Sequence, residues 1–221
     1  MSDQLRTKYA SLINKVRFDH VRQGFAGGHH DFLHAFMVAE YALMIAESDE
    51  VGVLAWIAGI CHNTDHLFPA EIVHHKVSAY IAGWTALDKV NAQLVINAVM
   101  QHSKLNDPND DSVTVTLKDA DRLANLGPNV IIRSGQHFNE LPAFNPLFIS
   151  EFDPTATYRN PKSVLRDVLS SLEWEDWIRL PKARELARPY VAFLKQFKAL
   201  MLHQLQEVRL DPYPFPEDYK D

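Results

Sequence analysis

Apolar residues recur at helical spacing along most of the chain. Leu5, Tyr9, Leu12, Ile13, Val16 and Val21 line one face of a segment over residues 2–21, with charges between them. Gly24, Gly27 and Gly28 then break the pattern. Residues 31–46 are apolar nearly all round, with Glu40 and the following Glu47 as exceptions, and Asp31 stands where a helix N-cap is expected. Ser48, Asp49 and Glu50 make a short turn, and residues 51–62 form a second almost uninterrupted apolar run. Helices apolar on every side are buried on every side. Further helices are expected over 70–84, 88–100 and 113–126, the last ended by Gly127-Pro128. Residues 135–160 are irregular and proline-containing, and read as a long crossing loop with short helical pieces. Residues 162–177 and 183–208 are amphipathic, with Pro189 expected to kink or interrupt the latter. Residues 210–221 form a tail. The only alternating stretch, Val113-Thr114-Val115-Thr116, is too short for a strand. The expected class is all-α: a helical core over residues 1–135, with residues 136–221 as a crossing segment and C-terminal helices of the same globular unit.

The two buried helices carry a geometric expectation. A short turn makes them antiparallel neighbours. His34 lies about 14 residues before the turn and His62 about 14 after it, so at about 1.5 Å per residue both stand about 21 Å from it. The two imidazoles therefore meet at one end of the hairpin. The second helix ends in Gly59-Ile60-Cys61-His62-Asn63-Thr64-Asp65-His66, which puts several metal-capable or proton-handling groups at the floor of a core. Burying them without partners costs several kcal/mol, roughly 2–7 per group, so a metal or a dense hydrogen-bond network belongs there. Asp121 interrupts the apolar face of its own helix and is the natural acid to join them. Two imidazoles, a carboxylate and the Asn63 amide oxygen suit a divalent first-row ion with positions left open for water. Any one of these histidines alone reads more simply as a satisfied polar core residue.

Composition narrows the function. The 221-residue chain is 47% hydrophobic and carries a formal net charge of −6, which weighs against a nucleic-acid backbone as partner. Its single cysteine, Cys61, excludes an intramolecular disulfide and a thiolate zinc cluster. No signal-peptide core or membrane-length apolar run is evident, so the expectation is a cytoplasmic protein with no membrane partner. Of eleven histidines, His29, His30, His34, His62, His66, His74, His75 and His102 all fall in the first half.

The order His34, His62 with its neighbour, then Asp121 resembles the HD superfamily of metal-dependent phosphohydrolases, whose pattern is a histidine, a His-Asp pair and a later aspartate on a helical bundle. His30-Asp31-Phe32-Leu33-His34 and residues 39–47 are similar to its first metal helix, and residues 54–62 to its second. Gln101-His102-Ser103 and the stretch from Lys118 to Leu123 resemble later motifs of a small stand-alone bacterial branch, as do residues 171–174 and 193–197. The resemblance implies an HD-domain-like bundle with C-terminal helices packed on it. It implies hydrolysis of a nucleotide or another small phosphorylated metabolite, and a divalent ion (manganese, iron, cobalt, nickel, zinc or magnesium) on His34, His62, Asn63 and Asp121.

One departure matters: Asn63 replaces the family's aspartate, removing a negative charge. Metal affinity should fall. Either the site tolerates this, or Asp65 substitutes, or the domain binds a ligand or partner without hydrolysis. Asp65 shares a helical face with His62 and is a candidate ligand or general base, or a plain loop residue. Asp31 either orients His34 or simply caps the helix. His102 and His75 could serve a second metal or contact phosphate. Lys104, Lys118 and Arg122 could offset phosphate charge, or be surface charges. A homo-oligomer is left open.

Overall fold

The computed structural model describes residues 1–25, 30–157 and 160–219; His29 and the expected break at Gly27-Gly28 lie outside them. Among the described residues the regular elements are helices, and the only β feature is an isolated bridge between Thr157 and Asn160.

It divides into two compact units. The first comprises Met1–Ala124 and Trp177–Glu185. It contains α1 (Ser2–Lys8), α2 (Ala10–Arg22), α3 (Phe32–Ile45), α4 (Asp49–Cys61), the single turn α5 (Thr64–Leu67), α6 (Ala70–Trp84), α7 (Lys89–Gln101) and α8 (Ser112–Ala124). The expected helix over 2–21 is broken only at Tyr9, whose φ of −108° leaves the helical range while its ring packs on Trp56.

The hairpin of α3 and α4 is the centre of this unit, and α8 packs against both of its arms. Leu54 to Cys61 are all buried, as an all-apolar run requires. The turn is tighter than the sequence suggests. Ser48 caps α4 by accepting from the Val51 amide at 3.3 Å, and Asp49 and Glu50 occupy its first turn, where the helix dipole favours acids. The two rods touch at Gly59: a Cβ there would stand 2.7 Å from the Ala39 Cα and 2.8 Å from its nitrogen. Glycine is therefore what allows this crossing.

The second unit comprises Asn125–Asp176 and Leu186–Asp221. Gly127, with φ +75°, turns the chain into α9 (Pro128–His137), a helix that the Gly127-Pro128 stop signal hides in the sequence. A 3₁₀ turn at Pro146–Phe148 interrupts the irregular stretch, and α10 (Val164–Ser170) runs into a 3₁₀ segment, Ser171–Trp177. The long helix α11 (Pro181–Glu207) begins in the first unit and continues in the second; Pro189 lies inside it and does not interrupt it. No described helix is long and apolar enough to cross a membrane.

Candidate metal centre

The site is built on α3, α4 and α8. His34 stands in the first turn of α3, whose cap is Asp31: the Asp31 carboxylate accepts from the His34 amide at 2.9 Å. The described hydrogen bond of the Asp31 carboxylate is thus with the backbone of His34. His62 ends α4, and its Nδ1 lies 2.7 Å from the Gly59 carbonyl. A carbonyl only accepts, so Nδ1 carries the proton and Nε2 presents its lone pair. The two rings meet edge to face with centroids 5.1 Å apart. Asp121, on α8, places Oδ1 3.2 Å from His34 Nε2 and 3.9 Å from His62 Nε2. Both histidines are buried, while the Asp121 side chain keeps a quarter of its surface exposed.

Burial pushes the His62 imidazole well below its ordinary range, against the pull of Asp121, so it is neutral near pH 7. Burial would raise the Asp121 carboxyl, but the hydrogen bond from His34 works against it, and the carboxyl is held well below the usual range. Neutral imidazole and ionised carboxylate are the forms that ligate metals.

The donor set fits a divalent ion. One ligand atom from each of His34, His62 and Asp121 lies within 4.8 Å of the others. Ligands at about 2.0–2.2 Å from a shared ion stand roughly 3–4 Å apart, which is the range of the two measured separations. Asn63 adds to the fit. It is buried, and its Oδ1 has no hydrogen-bond partner among the described residues. Its Nδ2 faces the carbonyls of His30 at 3.1 Å and Asp31 at 3.2 Å, which fixes Nδ2 as the donor side.

Beside this cluster lies a second group. Asp65, on α5, has Oδ2 3.8 Å from His102 Nε2 and Oδ1 3.7 Å from His66 Nε2. His102 holds its Nδ1 on the Val99 carbonyl at 2.6 Å and meets the His62 ring edge to face at 5.3 Å. His66 stacks on His30 with centroids 3.6 Å apart. Asp65 and His102 are thus brought beside the metal cluster, and His74 and His75 are exposed on α6.

The cations considered for phosphate are placed otherwise. Arg122 is buried; it donates to Asp119, to the Trp177 carbonyl and to Asn106, and stacks over the Trp177 ring. Lys118 is buried too, donating to Asp110 and to the Leu105 carbonyl. Lys104 is exposed. Leu105, Asn106 and Asp110 lie in the loop before α8, Asp119 lies on α8 itself and Trp177 ends the 3₁₀ segment, and Asp110 and Trp177 carry no sequence signal that would have paired them. His20 was also missed. It is buried on α2 with Nδ1 on the Val16 carbonyl at 2.8 Å, and its Nε2 is 3.5 Å from Asn63 Nδ2.

Fold and site together describe an all-helical protein with a histidine–aspartate cluster that could hold a metal ion. Residues 31–126 match the family model described as HD domain, and the chain carries an HD domain over that span. Among solved structures, it is similar to Bacillus subtilis YpgQ in complex with ADP, at 22% identity and TM-score 0.62 over 94% of this chain and 97% of that one. A Bacillus thuringiensis HD-superfamily hydrolase gives 18% identity and TM-score 0.67 over 91% and 98%. A Lactobacillus plantarum protein gives 14% and 0.68 over 91% and 98%. These likenesses establish the helical fold. No curated protein sequence matches significantly.

Proposed function

We propose that the protein is a metal-dependent phosphohydrolase acting on a nucleotide or another small phosphorylated metabolite. The convergence of His34, His62 and Asp121 on one point carries this reading. A divalent ion held by these residues would supply the charge that activates water and offsets a phosphoryl group, and the buried Asn63 Oδ1 is a candidate for a further ligand. His62 contributes a neutral lone pair because Gly59 takes its other nitrogen, and Asp121 contributes the only formal negative charge among the four. Asp65, flanked by His66 and His102, is the group placed to accept or return a proton beside the cluster. The ADP bound to the Bacillus subtilis relative supports a nucleotide as substrate.

A second reading has its own observation. Asn63 leaves the centre one carboxylate short, which suits a domain that binds its ligand without hydrolysing it. Metal analysis of protein purified without chelator, paired with a screen of phosphorylated metabolites, decides. Near-stoichiometric transition metal with phosphate release supports the enzyme. Metal with ligand-dependent thermal stabilisation and no turnover supports the binder. Absence of metal overturns both.

A further inference from the structure

Asn63 occupies the position before α5 where asparagine commonly caps a helix, yet its side chain makes no capping bond there. The carboxamide reaches across the chain instead. Nδ2 lies within hydrogen-bond distance of the His30 and Asp31 carbonyls, the last two before α3. The third polar group near it is His20 Nε2 at 3.5 Å. His20 Nδ1 donates to Val16, so in the neutral ring Nε2 is an acceptor as well. Every described neighbour of Nδ2 therefore accepts hydrogen bonds. The Asp31 carbonyl is shared: it also receives the Ala35 amide at 3.3 Å, within the turn of α3 that carries His34.

We propose that Asn63 is a positioning residue. Its amide hydrogens bind the entry to α3 and so set His34 against His62 and Asp121, a task that aspartate cannot perform among these acceptors. A carboxylate in the same place would point an anionic oxygen at two carbonyls and an imidazole lone pair. It would withdraw the amide donor from all three, although the Asp31 carbonyl would still receive the Ala35 amide. On this account the asparagine is not a weakened aspartate, because its surroundings call for an amide. The metal arm of the test below rests on the metal-centre reading; the metal-free arm does not.

The experiment compares wild type with Asn63→Asp and Asn63→Ala. Tyr80→Phe, which loses the 2.7 Å bond from the Tyr80 hydroxyl to Asp19, is the control for general destabilisation. Without metal, both Asn63 variants should melt lower by roughly 3–10 °C. Amide exchange over residues 32–35 should accelerate at least tenfold in both and stay at the wild-type rate in Tyr80→Phe. In titrations with Mn²⁺ alone, Asn63→Ala should bind at least tenfold more weakly, and Asn63→Asp should bind no more tightly than wild type despite its added charge. An Asn63→Asp protein as stable as wild type that binds Mn²⁺ more tightly overturns the proposal. Exchange over 32–35 that rises equally in the Tyr80→Phe control also overturns it. A wild-type protein that takes up no Mn²⁺ sinks the phosphohydrolase reading and leaves the metal-free comparison to decide this one.

Discussion

Gly59 and Ala39 bring α4 and α3 closer than any side chain at position 59 would allow: an added Cβ would stand 2.7 Å from the Ala39 Cα. Gly59→Ala sets two effects against each other. Alanine improves helix propensity by about 1 kcal/mol, while overpacking against backbone costs about 1–3 kcal/mol or more. The obstructing atoms are main chain and cannot rotate away, so the cost wins. The variant should lose about 1–2 kcal/mol in chemical denaturation. It should also bind metal more weakly, because the Gly59 carbonyl orients His62. A variant as stable as wild type would show that the hairpin relaxes freely.

Asp121 provides the negative charge at the centre. Asp121→Asn should reduce metal occupancy at least tenfold, measured by elemental analysis after dialysis, since loss of a ligating charge weakens a divalent site. His34→Ala should do the same. Full occupancy in both variants would move the ion elsewhere.

Asp65 predicts a different pattern. Asp65→Asn should leave metal content near wild type and lower turnover by roughly 10²–10⁴-fold, the range for a lost general acid or base. Loss of metal together with turnover would make Asp65 a ligand instead.

Asp110 gives a stability prediction with a sign. Burial would raise its carboxyl, but bonds from Lys118, the Asp107 amide and Arg179 hold it below the usual carboxylate range. A depressed pKa in the folded state contributes stability above the unfolded value, near 3.9, and that contribution is lost as pH falls through the folded value. Asp110→Asn should therefore cost about 2–3 kcal/mol at pH 7, where buried Lys118 loses its counter-charge. Its stability should also fall less steeply than wild type below about pH 4. Urea unfolding at pH 7 and in acid reads both.

The hairpin and its two histidines were legible because equal arm lengths and all-round apolarity are local properties. The arms are Phe32–Ile45 and Asp49–Cys61, and they deliver His34 and His62 to one place. Asp121 was legible as a charge interrupting an apolar face. The fates of Arg122 and Lys118 were not, because their partners are set by tertiary folding: the Trp177 carbonyl lies 55 residues from Arg122. Helix α9 was hidden because a stop signal doubles as a start when proline follows the glycine. Asn63 was read by its missing charge, whereas the structure adds what its amide hydrogens touch.

Asp119 has a consequence for how the protein can be divided. Its buried Oδ2 accepts the amides of Arg179 at 2.8 Å and Leu180 at 2.7 Å. This oxygen, on the acid two residues before Asp121, is thus satisfied by chain that arrives some sixty positions later, while Oδ1 of the same carboxylate accepts from Arg122 at 3.1 Å. A fragment ending at residue 135 would contain every proposed ligand yet strand one buried carboxylate oxygen two residues from Asp121. The half that carries the proposed site cannot be borrowed on its own; the stretch around 177–185 must travel with it.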